Sequence, residues 1–332
     1  MSNKEIVLDI QNLTVQFHID NEVIEAVNDV SLQLEKGKTL GLVGETGAGK
    51  TTTAKAVMRL IPQPPGVIKD GKINVCGHDM LNLDKKTLSQ IRGNELSMIF
   101  QDPMTALNPV LTVGEQIAES ILLHEHVSRS EANKKAAAML EVVGIPGSRA
   151  GDYPHQFSGG MKQRVVIALA LACNPKLLIA DEPTTALDVT IQAQVLELMR
   201  KIRDDYQMSM IMITHDLGIV AEICDDVAVM YAGRIVERGT LREVFENTRH
   251  PYTEGLFNSL PDITNRKAAL KPIPGMMPDP SNLPKGCAFA PRCQYATAKC
   301  HEERPQEYTI SETHSVMCSA YDDPNFCLKG VK

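Results

Sequence analysis

The chain has 332 residues and a formal net charge of −7 at pH 7. Hydrophobic residues make up 43% of it, but only 4% of the residues are aromatic and tryptophan is absent, so we expect an aliphatic core. No apolar run reaches the ~18 residues needed to cross a bilayer, and no apolar signal region opens the chain, which predicts a cytosolic protein. The acidic balance argues against nucleic acid as a partner, because surfaces that bind phosphate backbone are usually basic.

The first predicted elements are strands. Apolar and polar residues alternate over residues 6–34, which indicates antiparallel strands with a turn near Asp20 and Asn21. Residues 39–43 are apolar and predict a short buried strand, and a helical pattern covers residues 51–60. The glycine-rich stretch between them is therefore a strand-to-helix loop.

A longer helical region extends from about residue 103 to residue 156. It predicts helices over 113–124 and 130–143, with Gly144 and Pro146 as stops. We expect this region to form a separate lobe inserted into the fold.

Strands and helices alternate after this lobe. The pattern predicts a strand over 177–180, a helix over 189–206, a strand over 208–213 and a hairpin over 227–238. Such alternation indicates an α/β core with a mostly parallel sheet.

The composition changes after Leu260. Six prolines occur between residues 261 and 284, a density that excludes long helices and central strands and indicates an extended or wrapping segment. We place the boundary of a small C-terminal domain near residue 256.

The eight cysteines are unevenly distributed along the chain. Cys76, Cys173 and Cys224 lie in apolar or structured stretches and are expected to be buried. The last 46 residues hold the other five cysteines, and a reducing compartment favours metal binding over disulfides there: Cys287, Cys293, Cys300, Cys318 and Cys327.

Residues 44–51 match the phosphate-loop pattern G-x-x-x-x-G-K-[ST] without a gap. Its glycines let backbone N–H groups curl round phosphate oxygens, and the helix N-terminus adds its positive dipole end. Lys50 would reach the β- and γ-phosphates, and the Thr51 hydroxyl would coordinate Mg²⁺. The candidate ATP-binding residues of this loop are Gly44, Glu45, Thr46, Gly47, Ala48, Gly49, Lys50, Thr51 and Thr52.

Five motifs, each present once and in one order, resemble those of the ATP-binding-cassette (ABC) ATPases. They are the phosphate loop, Gln101, the stretch F-S-G-G-M at 157–161, the apolar strand that ends in Asp181 and Glu182, and His215. The resemblance covers roughly residues 5 to 255. It implies a RecA-like α/β P-loop core with an N-terminal antiparallel β subdomain, a helical subdomain at about 103–163, and a pair of cassettes that close on two ATP molecules.

The resemblance also assigns roles to single residues. Asp181 and Gln101 would contact Mg²⁺ together with Thr51, while Glu182 would polarise the attacking water. Gln101 also couples the two lobes in this family, and His215 would contact the γ-phosphate as a switch. Taken alone, a glutamine or a histidine after a strand is usually structural, so both depend on their place in the series.

The signature of the family is L-S-G-G-Q, from which Phe157 and Met161 depart. Ser158, Gly159 and Gly160 keep the atoms that would grip the γ-phosphate of ATP held by a partner cassette. Asp188 matches a loop at that dimer interface. Phe17 is the candidate for stacking on adenine, and a core role on an alternating strand is an equal alternative.

A closer resemblance covers three further stretches. H-P-Y-T-x-G-L at 250–256, Q-D-P-M-T-A-L-N-P at 101–109 and the cysteine pattern look like the ATPases of dipeptide, oligopeptide and nickel importers. Cysteine spacing alone leaves a Cys₄ zinc site, a [4Fe–4S] cluster and unligated thiols open. The resemblance implies a [4Fe–4S] cluster on Cys287, Cys293, Cys300 and Cys318, with Cys327 left over and His301 and His314 as substitute ligands.

The sequence thus predicts residues 1–255 as an ABC nucleotide-binding domain and 256–332 as a cysteine-rich, proline-rich extension. The expected function is ATP hydrolysis at the cytoplasmic face of the cell membrane, which powers uptake of di- or oligopeptides. Expected partners are two permease subunits, an extracytoplasmic substrate-binding protein and a second, paralogous cassette. Alternatives are a nickel or metal-chelate importer of the same family, a soluble ABC ATPase of DNA maintenance or translation, and an iron–sulfur sensor with a vestigial cassette, which the intact Glu182 and His215 disfavour.

Overall fold

Two β-sheets organise the molecule in this computed structural model, which describes residues 5–185, 187–260 and 271–328. The smaller sheet has four strands in the order β2-β1-β4-β5, all paired antiparallel. The chain reverses between its first two strands at Asp20, whose φ of 52° lies in the left-handed region that Asp tolerates in turns. This confirms the predicted antiparallel start and its turn. The strands are β1 (Ile6–Ile19), β2 (Glu22–Glu35), β4 (Gly66–Val75) and β5 (His78–Asp79).

The larger sheet has eight strands in the order β11-β12-β10-β9-β3-β8-β7-β6. Its centre is parallel, from β6 through β7, β8 and β3 to β9, and the remaining strands are antiparallel. The α/β core with a mostly parallel sheet is thereby confirmed. The strands are β3 (Thr39–Val43), β6 (Leu96–Ile99), β7 (Leu177–Asp181), β8 (Ser209–Thr214), β9 (Asp226–Tyr231), β10 (Arg234–Thr240), β11 (Glu307–Thr309) and β12 (Ser315–Met317).

Both faces of this sheet are buried, as expected for parallel strands between two layers. Along β7, Leu178 and Ala180 belong to one hydrophobic cluster, while Leu177 and Ile179 belong to another. The first cluster includes the helical lobe, and the second includes the antiparallel sheet. The two cores therefore lie on opposite faces of the strands whose ends carry the site.

The helices agree closely with the predicted pattern. Residues 113–124 and 189–206 are helical as predicted, the helix predicted over 130–143 lies one residue earlier, and the helix after the phosphate loop ends three residues early. The helices of the described residues are α1 (Lys50–Val57), α2 (Lys85–Ile91), α3 (Pro103–Ala106), α4 (Val113–His124), α5 (Arg129–Val142), α6 (Gly159–Leu171), α7 (Val189–Tyr206), α8 (Leu217–Ile223), α9 (Leu241–Glu246), α10 (Pro251–Asn258) and α11 (Ala298–Glu302). None of them combines the length and the apolar character needed to span a bilayer.

The C-terminal extension adds strands to the cassette sheet. In register, Val316 and Ser315 of β12 pair with Glu237 and Arg238 of β10. The carboxylate of Glu237 is buried and accepts hydrogen bonds from the backbone N–H of His250 at 2.9 Å, and His314 Nε2 lies 2.9 Å from it. Backbone pairing and this buried group fasten the extension to the cassette. The domain division near residue 256 stays a prediction, and α10 spans it.

Candidate active site

The phosphate loop connects β3 to α1 in a conformation that requires glycine. Gly44 and Gly49 have φ values of 152° and 103°. A Cβ at Gly44 would lie 2.1 Å from the carbonyl oxygen of Met230, and one at Gly49 would lie 2.4 Å from that of Ala26. The loop is thus closely surrounded by backbone, and it ends at the N-terminus of α1, where the helix dipole and backbone N–H groups favour an anion.

Lys50 begins α1 and is folded back over the loop. Its Nζ donates to the carbonyl oxygens of Gly44 and Glu45, at 2.7 and 2.9 Å. Burial lowers the pKa of this ammonium, although the nearby carboxylates of Glu182 and Asp181 act in the opposite sense. A desolvated cation beside a glycine loop is well placed to bind phosphate oxygens.

Thr51 and Asp181 bring two oxygen donors together. The Thr51 hydroxyl donates to Asp181 Oδ1 at 3.2 Å across the gap between α1 and the end of β7. Asp181 is only 2% exposed, and burial raises the pKa of its carboxyl despite the bond from Thr51. A hydroxyl and a carboxylate side by side are ligands that Mg²⁺ accepts, and a bound cation would favour the ionised carboxylate.

Three polar side chains converge on Glu182. Gln101 Nε2 donates to its Oε2 at 2.9 Å, Thr185 donates to the same oxygen at 2.9 Å, and His215 Nδ1 lies 3.0 Å from Oε1. Burial acts to raise the pKa of Glu182, but these hydrogen bonds outweigh it and lower the pKa below its usual value. The carboxylate therefore stays ionised at neutral pH and can accept a hydrogen bond from a water molecule. Three strand ends of a parallel sheet, β6, β7 and β8, supply this network.

These groups border one open cleft of about 370 Å³. Phe17 lines the cleft and is half-buried, so the structure leaves both of its predicted roles open. Ala48 is fully buried beneath the loop, and the carboxylate of Glu45 is turned towards the C-terminal extension. The lining residues predicted from the sequence are Phe17, Thr46, Gly47, Gly49, Lys50, Thr51, Thr52, Gln101, Glu182 and His215.

The signature residues lie outside this cleft. Ser158 caps α6 by accepting a hydrogen bond from the N–H of Met161 at 3.4 Å, and Asp188 caps α7 by accepting one from Ile191 at 3.0 Å. Ser158, Gly159 and Asp188 are exposed. The serine and the N-terminus of α6 thus lie at the surface and do not contribute to the lining of this cleft.

The cysteines of the extension have the chemistry of a metal site without its arrangement. Among the residues that the structure describes, no group of three or more His, Cys, Asp or Glu is placed to hold a metal ion. Burial raises the pKa of Cys293 to about 11 and that of Cys318 to about 12, and neighbouring thiols add to both effects. Cys287 and Cys293 also pack against the hydrophobic core, where neutral thiols behave as small apolar groups. The geometry therefore gives no support to the expected iron–sulfur centre.

The substitute ligands are placed elsewhere. His314 Nε2 lies 2.9 Å from the buried carboxylate of Glu237, so its ring is engaged in fastening the extension. His301 and Cys327 are exposed.

Sequence reasoning missed several residues beside the loop. The hydroxyl of Tyr252 accepts a hydrogen bond from the N–H of Glu45 at 2.9 Å, and Arg292 Nη1 donates to the Glu45 carboxylate at 3.0 Å. Pro280 forms part of the cleft wall. Tyr252 lies within the H-P-Y-T stretch noted above, whereas nothing in the sequence distinguishes Arg292 or Pro280 from other residues of the extension.

Comparison with known families and proteins agrees with this geometry. Residues 27–185 match the model described as "ABC transporter", and residues 236–300 match "Oligopeptide/dipeptide transporter, C-terminal region". The chain is 52% identical over 312 residues to the oligopeptide transport ATP-binding protein OppD of Bacillus subtilis (strain 168), covering 93% of this chain and 87% of that protein. The chain belongs to the ABC transporter ATP-binding proteins of the oligopeptide/dipeptide group.

Other relatives extend the match over almost the whole chain. The dipeptide transport ATP-binding protein DppD of Bacillus subtilis (strain 168) is 49% identical over 320 residues, which cover 96% of each chain. A putative peptide import ATP-binding protein of Brucella abortus (strain 2308) is 48% identical over 334 residues, which cover 97% of this chain and 99% of that protein.

Solved structures share the cassette fold. The dimeric post-hydrolysis ATP-binding cassette MJ0796, bound to ADP and Pi, has a TM-score of 0.64 and 27% identity and covers 71% of this chain and 99% of that one. The cassette cbiO1 of Clostridium perfringens, part of the ABC transporter complex cbiONQ, has a TM-score of 0.63 and 25% identity and covers 74% of this chain and 92% of that one.

Proposed function

We propose that this cassette is the ATP-hydrolysing subunit of an importer that takes up di- or oligopeptides through partner permease subunits. The observation that carries the proposal is the Glu182 carboxylate, held by Gln101, Thr185 and His215 at the edge of a cleft that the phosphate loop also lines. A carboxylate in this position suits the activation of water against a bound triphosphate.

In this proposal each side chain of the cleft has one task. Lys50 exchanges loop carbonyls for the β- and γ-phosphate oxygens of ATP, and Thr51 and Asp181 hold Mg²⁺. The metal ion, when bound, neutralises charge on the phosphates. Glu182 accepts a hydrogen bond from the attacking water. Gln101 and His215 orient the Glu182 carboxylate and lower its pKa. Gln101 also lies just after β6, between that strand and the start of the helical lobe, so it can couple the position of the lobe to the site.

The exposed signature supports a second cassette, expected to be a paralogue, as the other half of each site. Ser158, Gly159 and Gly160 would then contact ATP held by the partner. Val189, which follows Asp188, is 84% exposed, as an apolar residue at a subunit interface would be in the free chain.

If the signature of one cassette contacts ATP held by the other, two variants of the isolated chain should differ in ATP affinity. Ser158→Arg in the isolated chain should leave ATP affinity unchanged but prevent ATP-dependent dimer closure, whereas Lys50→Ala should abolish ATP binding itself. Loss of ATP affinity in Ser158→Arg as severe as in Lys50→Ala would contradict a signature that acts on the partner's ATP.

Peptide import rests on the relatives, whose printed names are those of peptide transport or peptide import proteins. We therefore place the cassette at the cytoplasmic face of the membrane, with two permease subunits and an extracytoplasmic binding protein as partners and no nucleic acid. Phe100 and Val110, on either side of α3, are 43% and 75% exposed and offer apolar contacts for a permease. A metal chelate such as a nickel complex is the alternative cargo within this family.

A soluble ATPase of DNA maintenance or translation is a candidate of a different class. Such proteins of DNA maintenance insert a long coiled coil between the phosphate loop and the signature. Here the longest helix between Lys50 and Ser158 is α5, with 14 residues, which disfavours that class. Purification with the neighbouring permease chains should give ATP hydrolysis that peptide-loaded binding protein stimulates. Stimulation by DNA or ribosomes alone would overturn the proposal.

We also propose that the extension binds a [4Fe–4S] cluster, with zinc as the alternative metal. The four ligands would be Cys287, Cys293, Cys300 and Cys318. The chemical support is four free thiols that lie close enough to influence one another: burial raises the pKa of Cys318 to about 12, and the other three thiols add to this effect. Binding would displace the thiol protons and require the cysteines to rearrange, because the described residues contain no group placed to hold a metal ion. Anaerobic purification should give about four irons per chain, as in a four-iron cluster. Stoichiometric zinc without iron, or neither metal, would contradict it.

A further inference from the structure

The C-terminal part of the chain is hydrogen-bonded to the phosphate loop at Glu45. Its backbone N–H donates to the hydroxyl of Tyr252, its carbonyl oxygen accepts from Lys50 Nζ, and its carboxylate accepts from Arg292 Nη1 at 3.0 Å. Tyr252 lies in α10, and Arg292 lies in the extension, 247 positions from Glu45. Glu45 therefore links Lys50 to the C-terminal part of the chain.

Arg292 is held firmly in this position. Its side chain is only 6% exposed, and its Nε donates to the carbonyl oxygen of Pro274 at 2.8 Å. Nη1 also lies 3.3 Å from the hydroxyl of Tyr231. The guanidinium is thus enclosed by cassette and extension together, and its positive charge is committed to the Glu45 carboxylate.

An aromatic cluster fixes the same segment beside the loop. Phe289 of the extension is 4% exposed and packs against Tyr231 and Tyr252, with ring centroids 5.3 and 5.4 Å apart. The two tyrosines contact each other at 4.6 Å. The chain is poor in aromatic residues, so the concentration of three rings at this junction marks it as a tightly packed joint.

The extension also borders the cleft directly. A Cβ at Gly47 would lie 2.9 Å from Met277 Cε, so this methionine packs against the phosphate loop at Gly47. The carbonyl oxygen of Pro280 accepts a hydrogen bond from the N–H of Glu25 in β2 at 2.9 Å, and Pro280 lines the cleft together with Phe17. The segment from Met277 to Arg292 therefore passes both the phosphate end and the base end of the cleft.

We propose that the C-terminal extension is an integral part of the ATP site, in which Arg292 positions the phosphate loop and neutralises the Glu45 carboxylate beside the triphosphate. When Lys50 transfers from the carbonyl of Glu45 to phosphate, Tyr252 and Arg292 keep Glu45 in place from outside the loop. Without Arg292, the Glu45 carboxylate would add uncompensated negative charge to the loop that binds the ATP phosphates. Arg292 is a positioning residue, because it acts through Glu45.

Coupling of this kind is reciprocal: if a docked extension favours ATP binding, ATP binding must favour docking by the same factor. ATP should therefore protect the extension from proteolysis, and this protection should depend on the Arg292–Glu45 pair. The inference rests on the proposed nucleotide site, so its test includes a variant that addresses that site alone.

The experiment measures the Kd of MgATP for the full chain by calorimetry. Arg292→Ala should weaken binding roughly five- to tenfold, as expected for one lost charge pair in a partly solvated site, and added salt should shrink the deficit. Glu45→Gln in the Arg292→Ala background should restore much of the affinity, because it removes the unpaired charge. The Kd of Arg292→Lys should lie between that of the wild type and that of Arg292→Ala. Lys299→Ala is the matched control: it removes an extension cation that pairs with Asp322, away from the loop, and should leave the Kd unchanged.

The outcomes separate this inference from the nucleotide site itself. Wild-type MgATP affinity in Lys50→Ala would mean that the proposed site is wrong. Loss of binding in Lys50→Ala together with wild-type affinity in Arg292→Ala, or a double variant as weak as Arg292→Ala alone, would overturn the role of Arg292 and leave the site intact. If Arg292→Ala fails to fold, Glu45→Gln tests the same pair: it should abolish the ATP-dependent protection of the extension, and unchanged protection would contradict the proposal.

Discussion

Replacement of Glu182 by glutamine tests the chemistry of the cleft most sharply. The side chain keeps its size and its amide oxygen can still accept from Gln101 or Thr185, so the cleft should keep its shape. What disappears is the negative charge that these donors, with His215, stabilise below the usual pKa of a glutamate. A positioned general base contributes typically 10²- to 10⁴-fold, so we expect hydrolysis to fall by that factor, equivalent to about 3–5 kcal/mol of activation free energy.

The assay needs binding and turnover measured separately. ATP affinity of the isolated Glu182→Gln chain should stay within about twofold of wild type, while steady-state hydrolysis by the assembled complex falls by at least two orders of magnitude. Glu95→Gln is a matched control, because Glu95 pairs with Lys176 and does not line the cleft. Turnover within tenfold of wild type in Glu182→Gln would refute the assignment of the base.

Three further predictions concern packing, pH and the base end of the cleft. Gly160→Ala would place a Cβ 2.5 Å from Ile191 Cγ2, so we expect the free energy of unfolding to fall by about 1–3 kcal/mol. Gly159→Ala is the control and should cause no loss, because its Cβ would meet no atom within 4 Å. Chemical denaturation measures both variants. Burial lowers the pKa of His250 from 6.5 to about 3, so between these pH values the unfolded chain binds a proton that the folded chain does not. The free energy of unfolding should therefore fall as the pH drops from 6.5 towards 3, and it should fall less steeply in His250→Asn. Phe17→Leu keeps an apolar side chain but loses the ring; stacking on adenine predicts about two- to tenfold weaker ATP binding, whereas a purely structural Phe17 predicts unchanged affinity.

Local patterns accounted for most of the fold. The helices over 113–124 and 189–206 were predictable to the residue, because each begins at a side-chain cap, Thr112 and Asp188. The strand before the phosphate loop was equally clear from its apolar residues. Chain order alone, however, does not reveal that β12 of the extension continues the cassette sheet, since that pairing joins residues far apart in sequence.

In the candidate site too, the motifs were predictable from local sequence, whereas contacts between distant segments were not. Motif spacing predicted Lys50, Asp181 and Glu182 as site residues, and the carboxyl ends of parallel strands explain why these side chains lie close together. The contacts of Arg292 with Glu45 depend on how the extension packs, which no local pattern records. The cysteine pattern predicted a metal centre, whereas no group of ligands placed to hold a metal ion is assembled among the described residues, because spacing specifies ligand number but not the distances between sulfur atoms.

The central claim is that ATP hydrolysis in this cleft drives peptide uptake through partner subunits. Its most direct test is uptake of a labelled oligopeptide into proteoliposomes that contain the cassette, its partner cassette and the permease subunits, with binding protein outside and ATP inside. We predict uptake that requires ATP and peptide-loaded binding protein and that Glu182→Gln abolishes. Uptake that continues in Glu182→Gln, or ATP-dependent uptake of a nickel chelate with none of peptide, would contradict the account.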